Sequence, residues 1–96
     1  MANPFAAETE LLILRLLKSE PAGMYGLELV KASDNALKRG TVYVTLGRME
    51  EKGFIRSRVK READHPGLPR PRYTVTALGE RALQAAELLG LAAARA

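Results

Sequence analysis

The apolar spacing of this chain changes at Gly53, and that change limits the folds open to it. Before Gly53, Val42, Leu46, Met49 and Gly53 itself lie four, three and four residues apart, on one stripe of a helix. After it, Ile55, Ser57, Val59 and Arg61 alternate with Arg56, Arg58, Lys60 and Glu62, the period of a half-exposed strand. Tyr73 and Val75 alternate the same way within Arg70 to Thr76. Between the two runs, His65-Pro66-Gly67 suits a turn with Pro66 first and Gly67 at the positive-φ corner. A helix followed at once by a two-stranded hairpin is the expectation.

The segment ahead of Gly53 tests that reading. Thr41, Val42, Tyr43, Val44 and Thr45 are strand-favouring types, whereas Leu46, Arg48, Met49, Glu50, Glu51 and Lys52 favour helix. A strand accounts for the first half only. A helix accounts for both, with Thr41 as its cap and Gly53 as its left-handed stop. The face opposite the apolar stripe then carries Thr41, Val44, Thr45, Arg48 and Lys52, with Tyr43 at one edge. Short uncharged groups followed by cations suit a DNA major groove, where Thr and Val meet thymine methyls and Arg48 reaches guanine or a phosphate. For Tyr43, packing on the preceding helix and contact with a phosphate weigh equally.

Three further helices follow from the same rules. Leu11, Leu12, Ile13, Leu14, Leu16 and Leu17 are apolar on most sides, so the first helix packs against more than one neighbour. Its start falls at Asn3-Pro4 or at Thr9-Glu10, and Pro21 and Gly23 end it. A second helix runs from about Tyr25 to Ser33 and breaks at Asp34-Asn35. The last helix, capped by Thr76, places Leu78, Ala82, Ala85, Leu89 and Ala92 on one stripe. Leu83, Leu88 and Leu91 lie outside that stripe and add apolar surface beyond the needs of a small monomer.

Charge follows this plan. Residues 1–37 carry three basic and five acidic groups, residues 38–72 ten and four, and residues 73–96 two of each. The net charge of +4 is therefore concentrated on the third helix and the hairpin, as a polyanion partner requires. A solvated charged face is the bland alternative. The chain has no cysteine and one histidine, and no paired-carboxylate or glycine-rich phosphate motif, so neither an enzyme, a cofactor nor a metal site is expected. The apolar run Leu11 to Leu17 is too short to span a bilayer, which predicts a soluble, cytoplasmic protein.

Three helices and then a hairpin is the order of a winged helix-turn-helix. The expected fold is mainly α with a small β-hairpin: residues 1–76 form the DNA-binding domain and residues 77–96 a C-terminal dimerisation helix. At this point "YGLELVKAS", "KRGTVYVTLGRMEEKGFI" and "RPRYTVTALGERAL" resemble the PadR family of bacterial transcriptional regulators, over Leu11 to Ala86. The resemblance implies a recognition helix at Gly40 to Lys52 and a wing at Phe54 to Thr76. It identifies the short C-terminus with the compact subfamily, whose last helix mediates homodimerisation against the partner's first helix. The implied function is a sequence-specific DNA-binding regulator, a repressor acting as a homodimer on a palindromic operator.

The expected DNA contacts are Lys38, Arg39, Thr41, Tyr43, Val44, Thr45, Arg48 and Lys52, with Arg61, His65, Arg70 and Arg72 from the wing. The expected dimer interface is Leu12, Leu16, Leu78, Ala82, Ala85, Leu89 and Ala92. Many family members have proline where this chain has Val44. The family's multidrug-binding members use an interface tryptophan; this chain has none, so the resemblance leaves any small-molecule effector unassigned. The rival reading is a winged-helix module that binds protein, which does not need ten cations on the third helix and hairpin.

Overall fold

The computed structural model describes residues 8–59 and 70–89. In chain order these form α1 (Glu8–Lys18), β1 (Met24–Tyr25), α2 (Gly26–Ala32), α3 (Val42–Glu51), β2 (Ile55–Val59), β3 (Pro71–Val75) and α4 (Ala77–Leu88). Four helices pack with a three-stranded antiparallel sheet of order β1-β3-β2. The segment ahead of Gly53 is thus helix α3, as its apolar period requires.

Helix α1 is the centre of the core. Leu11, Ile13, Leu14 and Leu17 are buried, and the helix contacts α2, α3, β3 and α4. Burial on several sides explains why its sequence is apolar almost all round, each such side chain stabilising the fold by about 1.5–3 kcal/mol. Thr9 lies inside the helix, so it is not the cap; Asn3-Pro4 falls outside the described residues. Its one buried charge, Glu10, accepts from Lys52 Nζ at 2.9 and 3.0 Å, tying α1 to the end of α3.

The stops are those their residue types dictate. Gly53 takes φ +81° after α3. Its N–H donates to Glu50 O at 2.9 Å, and the N–H of Phe54 donates to Met49 O at 2.9 Å. This pair of bonds satisfies the last carbonyls of the helix. The same arrangement closes α2, where Asp34 and Asn35 hold φ of 54° and 66° and their N–H groups donate to Lys31 O and Val30 O. Asp and Asn tolerate that region better than other side-chain-bearing residues. At the other end of α3, Thr41 occupies the cap position, but its side chain makes no capping hydrogen bond.

Two expectations are corrected. The hairpin is part of a three-stranded sheet, because Met24 and Tyr25 pair with Tyr73 and Arg72 of β3. Tyr25 therefore has extended backbone (φ −76°, ψ 157°), and α2 starts one residue later than its apolar stripe implies. Glu28 reinforces that start, its carboxylate accepting from the Tyr25 N–H at 2.8 Å. A two-residue strand is too short to show a period.

The second correction concerns α4. Leu83 is not surplus surface: it is 2% exposed and belongs to the core, with Ala82 and Ala86 half-buried beside it. Thr76 joins this helix to the rest. Its hydroxyl donates to Gly53 O at 2.6 Å and accepts from Gly79 N at 3.0 Å, so one cap holds the start of α4 against the end of α3.

Candidate nucleic-acid interface

The core stripe of α3 decides what its other face presents. Val42, Leu46 and Met49 are buried at 1%, 0% and 0% exposure, which turns Thr41, Val44 and Arg48 outward. Val44 stays 58% exposed. Thr45 is half-buried and its hydroxyl donates to Thr41 O at 3.2 Å, leaving mainly its methyl to face outward contacts. Lys38 and Arg39 are exposed in the turn leading into the helix. The outward face is thus apolar and small at its N-terminal end and cationic at both borders.

Tyr43 packs on the preceding helix, one of the two readings open to it. It remains 49% exposed, yet its ring lies across Gly26: a Cβ at Gly26 would stand 2.6 Å from Tyr43 Cε1. Glycine at that position is what allows the aromatic ring to close over the N-terminus of α2.

Lys52 does not join the others. Its ammonium is directed to Glu10, and it lies 5.7 Å from the centroid of the Phe54 ring. The cation that the helical wheel assigns to the DNA face is held by a carboxylate 42 residues earlier. Arg70 and Arg72 lie at the wing, with guanidinium carbons 4.5 and 4.6 Å from the centroid of the Tyr25 ring, and Arg72 Nη2 donates to the Tyr25 hydroxyl at 3.1 Å. Arg61 and His65, expected on the wing, and Leu91 and Ala92, expected on the last helix, lie outside the described residues.

The expected dimer stripe is divided by the fold. Leu78 and Leu89 are 48% and 73% exposed, and Ala85 is exposed with them, whereas Ala82 packs partly against the core. Leu88, outside the stripe, is 80% exposed. Leu12 and Leu16 of α1 are half-buried at the edge of the same core.

Tyr25 and Gly26 were not among the expected site residues. The wing's Tyr73 is buried, and burial chiefly, then the nearby Glu50 carboxylate and Tyr43, raise its phenol above the ordinary 10.0. Among the described residues no cluster of His, Asp and Glu suits a metal ion, and no helix is long and apolar enough to cross a membrane.

A helix-turn-helix with its third helix exposed, followed by a basic wing, defines the class: a winged-helix DNA-binding protein. The model of the transcriptional regulator PadR-like family matches residues 13–85, and the chain belongs to that family. Solved structures agree. A PadR family transcription regulator from hypervirulent Clostridium difficile is 30% identical over 85% of each chain, with a TM-score of 0.72. A putative transcriptional regulator from Thermoplasma acidophilum is 29% identical over 86% of this chain and 81% of its own, with a TM-score of 0.70. A PadR family regulator from Eggerthella lenta is 26% identical over 84% and 72%, with a TM-score of 0.66. Among proteins of curated function, none matches. The chain is a DNA-binding transcriptional regulator and not an enzyme.

Proposed function

We propose that the protein is a cytoplasmic repressor that binds a palindromic operator as a homodimer. Residues 1–76 read DNA, and residues 77–96 hold the two copies together. The reading rests chiefly on α3, which exposes Thr41, Val44 and Arg48 opposite a fully buried stripe. In this reading Val44 and the Thr41 and Thr45 methyls meet thymine methyls, and Arg48 reads a guanine edge. Lys38, Arg39 and Tyr43 contact phosphate beside the helix, and Arg61, His65, Arg70 and Arg72 follow the backbone from the wing. Lys52 is set apart from this group by its ion pair with Glu10.

Dimerisation answers two needs at once. A single winged helix reads too few base pairs to stand out against a genome of competing sites. A two-fold pair doubles the contacts and sets half-sites about one helical turn apart. Leu78, Ala85 and Leu89, with Leu88 beside them, offer an apolar surface that nothing in the described chain covers. Against the half-buried Leu12 and Leu16 of a second copy, each exposed leucine that becomes buried contributes about 1.5–3 kcal/mol.

The test is a gel shift on the DNA upstream of the protein's own gene, with Arg48→Ala compared over a set of single base-pair changes. Direct readout predicts a loss of about 1–3 kcal/mol that is concentrated at one base pair. A uniform loss on every sequence would make Arg48 a phosphate clamp and remove it from the reading residues.

A further inference from the structure

The turn between α2 and α3 sets three cations around an apolar hollow. Leu27 and Val30 of α2 and Leu37 of the turn line its apolar part. Lys31, Lys38 and Arg39 border it together with Asn35, and its volume is about 590 Å³. Leu37 is 3% exposed, Leu27 and Val30 are half-buried, and the three cations are exposed. Among the described residues, none of the three cations forms an ion pair.

Backbone hydrogen bonds hold the rim in place. The Asn35 N–H donates to Val30 O at 3.1 Å, and the Leu37 N–H donates to Ser33 Oγ at 3.0 Å. The Lys38 carbonyl accepts from the N–H groups of Thr41 and Val42 at 3.1 and 2.9 Å, which ties the turn to the start of α3. A hollow already held in shape loses little to ordering when it is filled. Its volume falls within the range of about 300–1,000 Å³ usual for small-ligand sites, and apolar surface with a few polar groups is their usual make-up. A DNA strand presents phosphate and sugar and has no use for the aliphatic surface. A carboxylate with an aliphatic body uses both parts. Its chain covers Leu27, Val30 and Leu37, and its oxygens accept charge-assisted hydrogen bonds from the cations. The lining residues include no aromatic ring on which a flat ligand could stack.

We propose that this hollow binds an aliphatic carboxylate, and that its occupancy weakens DNA binding. The second half rests on the reading of Lys38 and Arg39 as phosphate contacts, because a carboxylate that engages them withdraws their charge from the DNA. The first half does not depend on it.

Sodium octanoate is the probe, with hexanoate and 1-octanol for comparison, followed by calorimetric titration of the full chain. One octanoate should bind per chain. Hexanoate should bind about tenfold more weakly for its two missing methylenes. Octanol, which lacks the charge, should bind at least about tenfold more weakly than octanoate. Leu27→Gln and Lys31→Gln should each lose at least about tenfold in octanoate affinity, the first through the chain and the second through the carboxylate. Circular dichroism checks that both variants fold, and Leu27→Gln should keep its DNA affinity in the absence of octanoate. Binding that does not saturate, octanol bound as tightly as octanoate, or wild-type octanoate affinity in either folded variant would overturn the site. A changed sedimentation or a lost DNA affinity in Leu27→Gln would make the hollow a contact between copies or with DNA, which also overturns it. Octanoate binding that leaves operator affinity unchanged would overturn the second half alone. Octanoate binding in a protein that binds no DNA would sink the DNA reading and leave the site standing.

Discussion

Replacing Lys52 by methionine removes the cation from a carboxylate that is almost fully enclosed. Glu10 Oε1 and Oε2 accept from Lys52 Nζ at 2.9 and 3.0 Å, with side-chain exposures of 4% for Glu10 and 32% for Lys52. Breaking a fully buried pair costs about 3–5 kcal/mol, because the remaining charge keeps its desolvation penalty. Water reaches Lys52 over about a third of its surface, so the expected cost is lower, roughly 2–3 kcal/mol. For a chain of this size that is a fall in Tm of about 10–15 °C. Urea unfolding of Lys52→Met, Glu10→Leu and the double variant measures it. The double variant should recover part of the loss, since an apolar pair removes the buried charge while Glu10→Leu also gives up the further contact that Glu10 makes. A single-variant cost below about 0.5 kcal/mol would show that Glu10 does not depend on Lys52. A DNA salt slope lowered by about one unit in the folded Lys52→Met protein would return Lys52 to the phosphate contacts.

Glycine substitutions should act in opposite directions. Gly79→Ala places a Cβ into the Phe54 carbonyl oxygen and 2.9 Å from Val75 Cγ2, so it should destabilise by about 1–3 kcal/mol in urea despite the higher helix propensity of alanine. Gly47→Ala, with nothing within 4 Å of the new methyl, should stabilise by about 0.5–1 kcal/mol, and a loss would mean that α3 is not helical at that point. Tyr73 keeps its phenol proton to higher pH in the fold than in the unfolded chain. Its contribution is therefore complete below about pH 10 and lost as pH rises through and beyond that value. Tyr73→Phe should flatten the alkaline fall in urea midpoint above about pH 10, and parallel curves would refute the assignment. Leu88→Glu/Leu89→Glu should sediment as a monomer and lose operator affinity while weak non-specific binding survives; a persisting dimer would place the interface elsewhere.

Much of the fold was legible in local pattern. The apolar stripe Val42-Leu46-Met49 outweighed five strand-favouring residues, because burying one face of a helix is worth more than intrinsic propensity. Gly53, Asp34-Asn35 and Thr76 marked their boundaries through chemistry that acts within a few residues: positive φ in the first two cases and a side-chain cap in the third. Charge along the chain likewise assigned the basic character to the third helix and wing. What period and spacing left open was settled by contacts between residues far apart in sequence. Met24-Tyr25 is a strand only because β3 lies beside it. Leu83 rather than Leu78 faces the core, with Gly79 letting α4 approach the Phe54 carbonyl. Lys52 turns to Glu10, and Arg58 meets Arg72, through packing and register that no helical wheel contains. A sequence specifies which groups each element carries; which of two polar faces a cation serves depends on where a distant charge comes to rest.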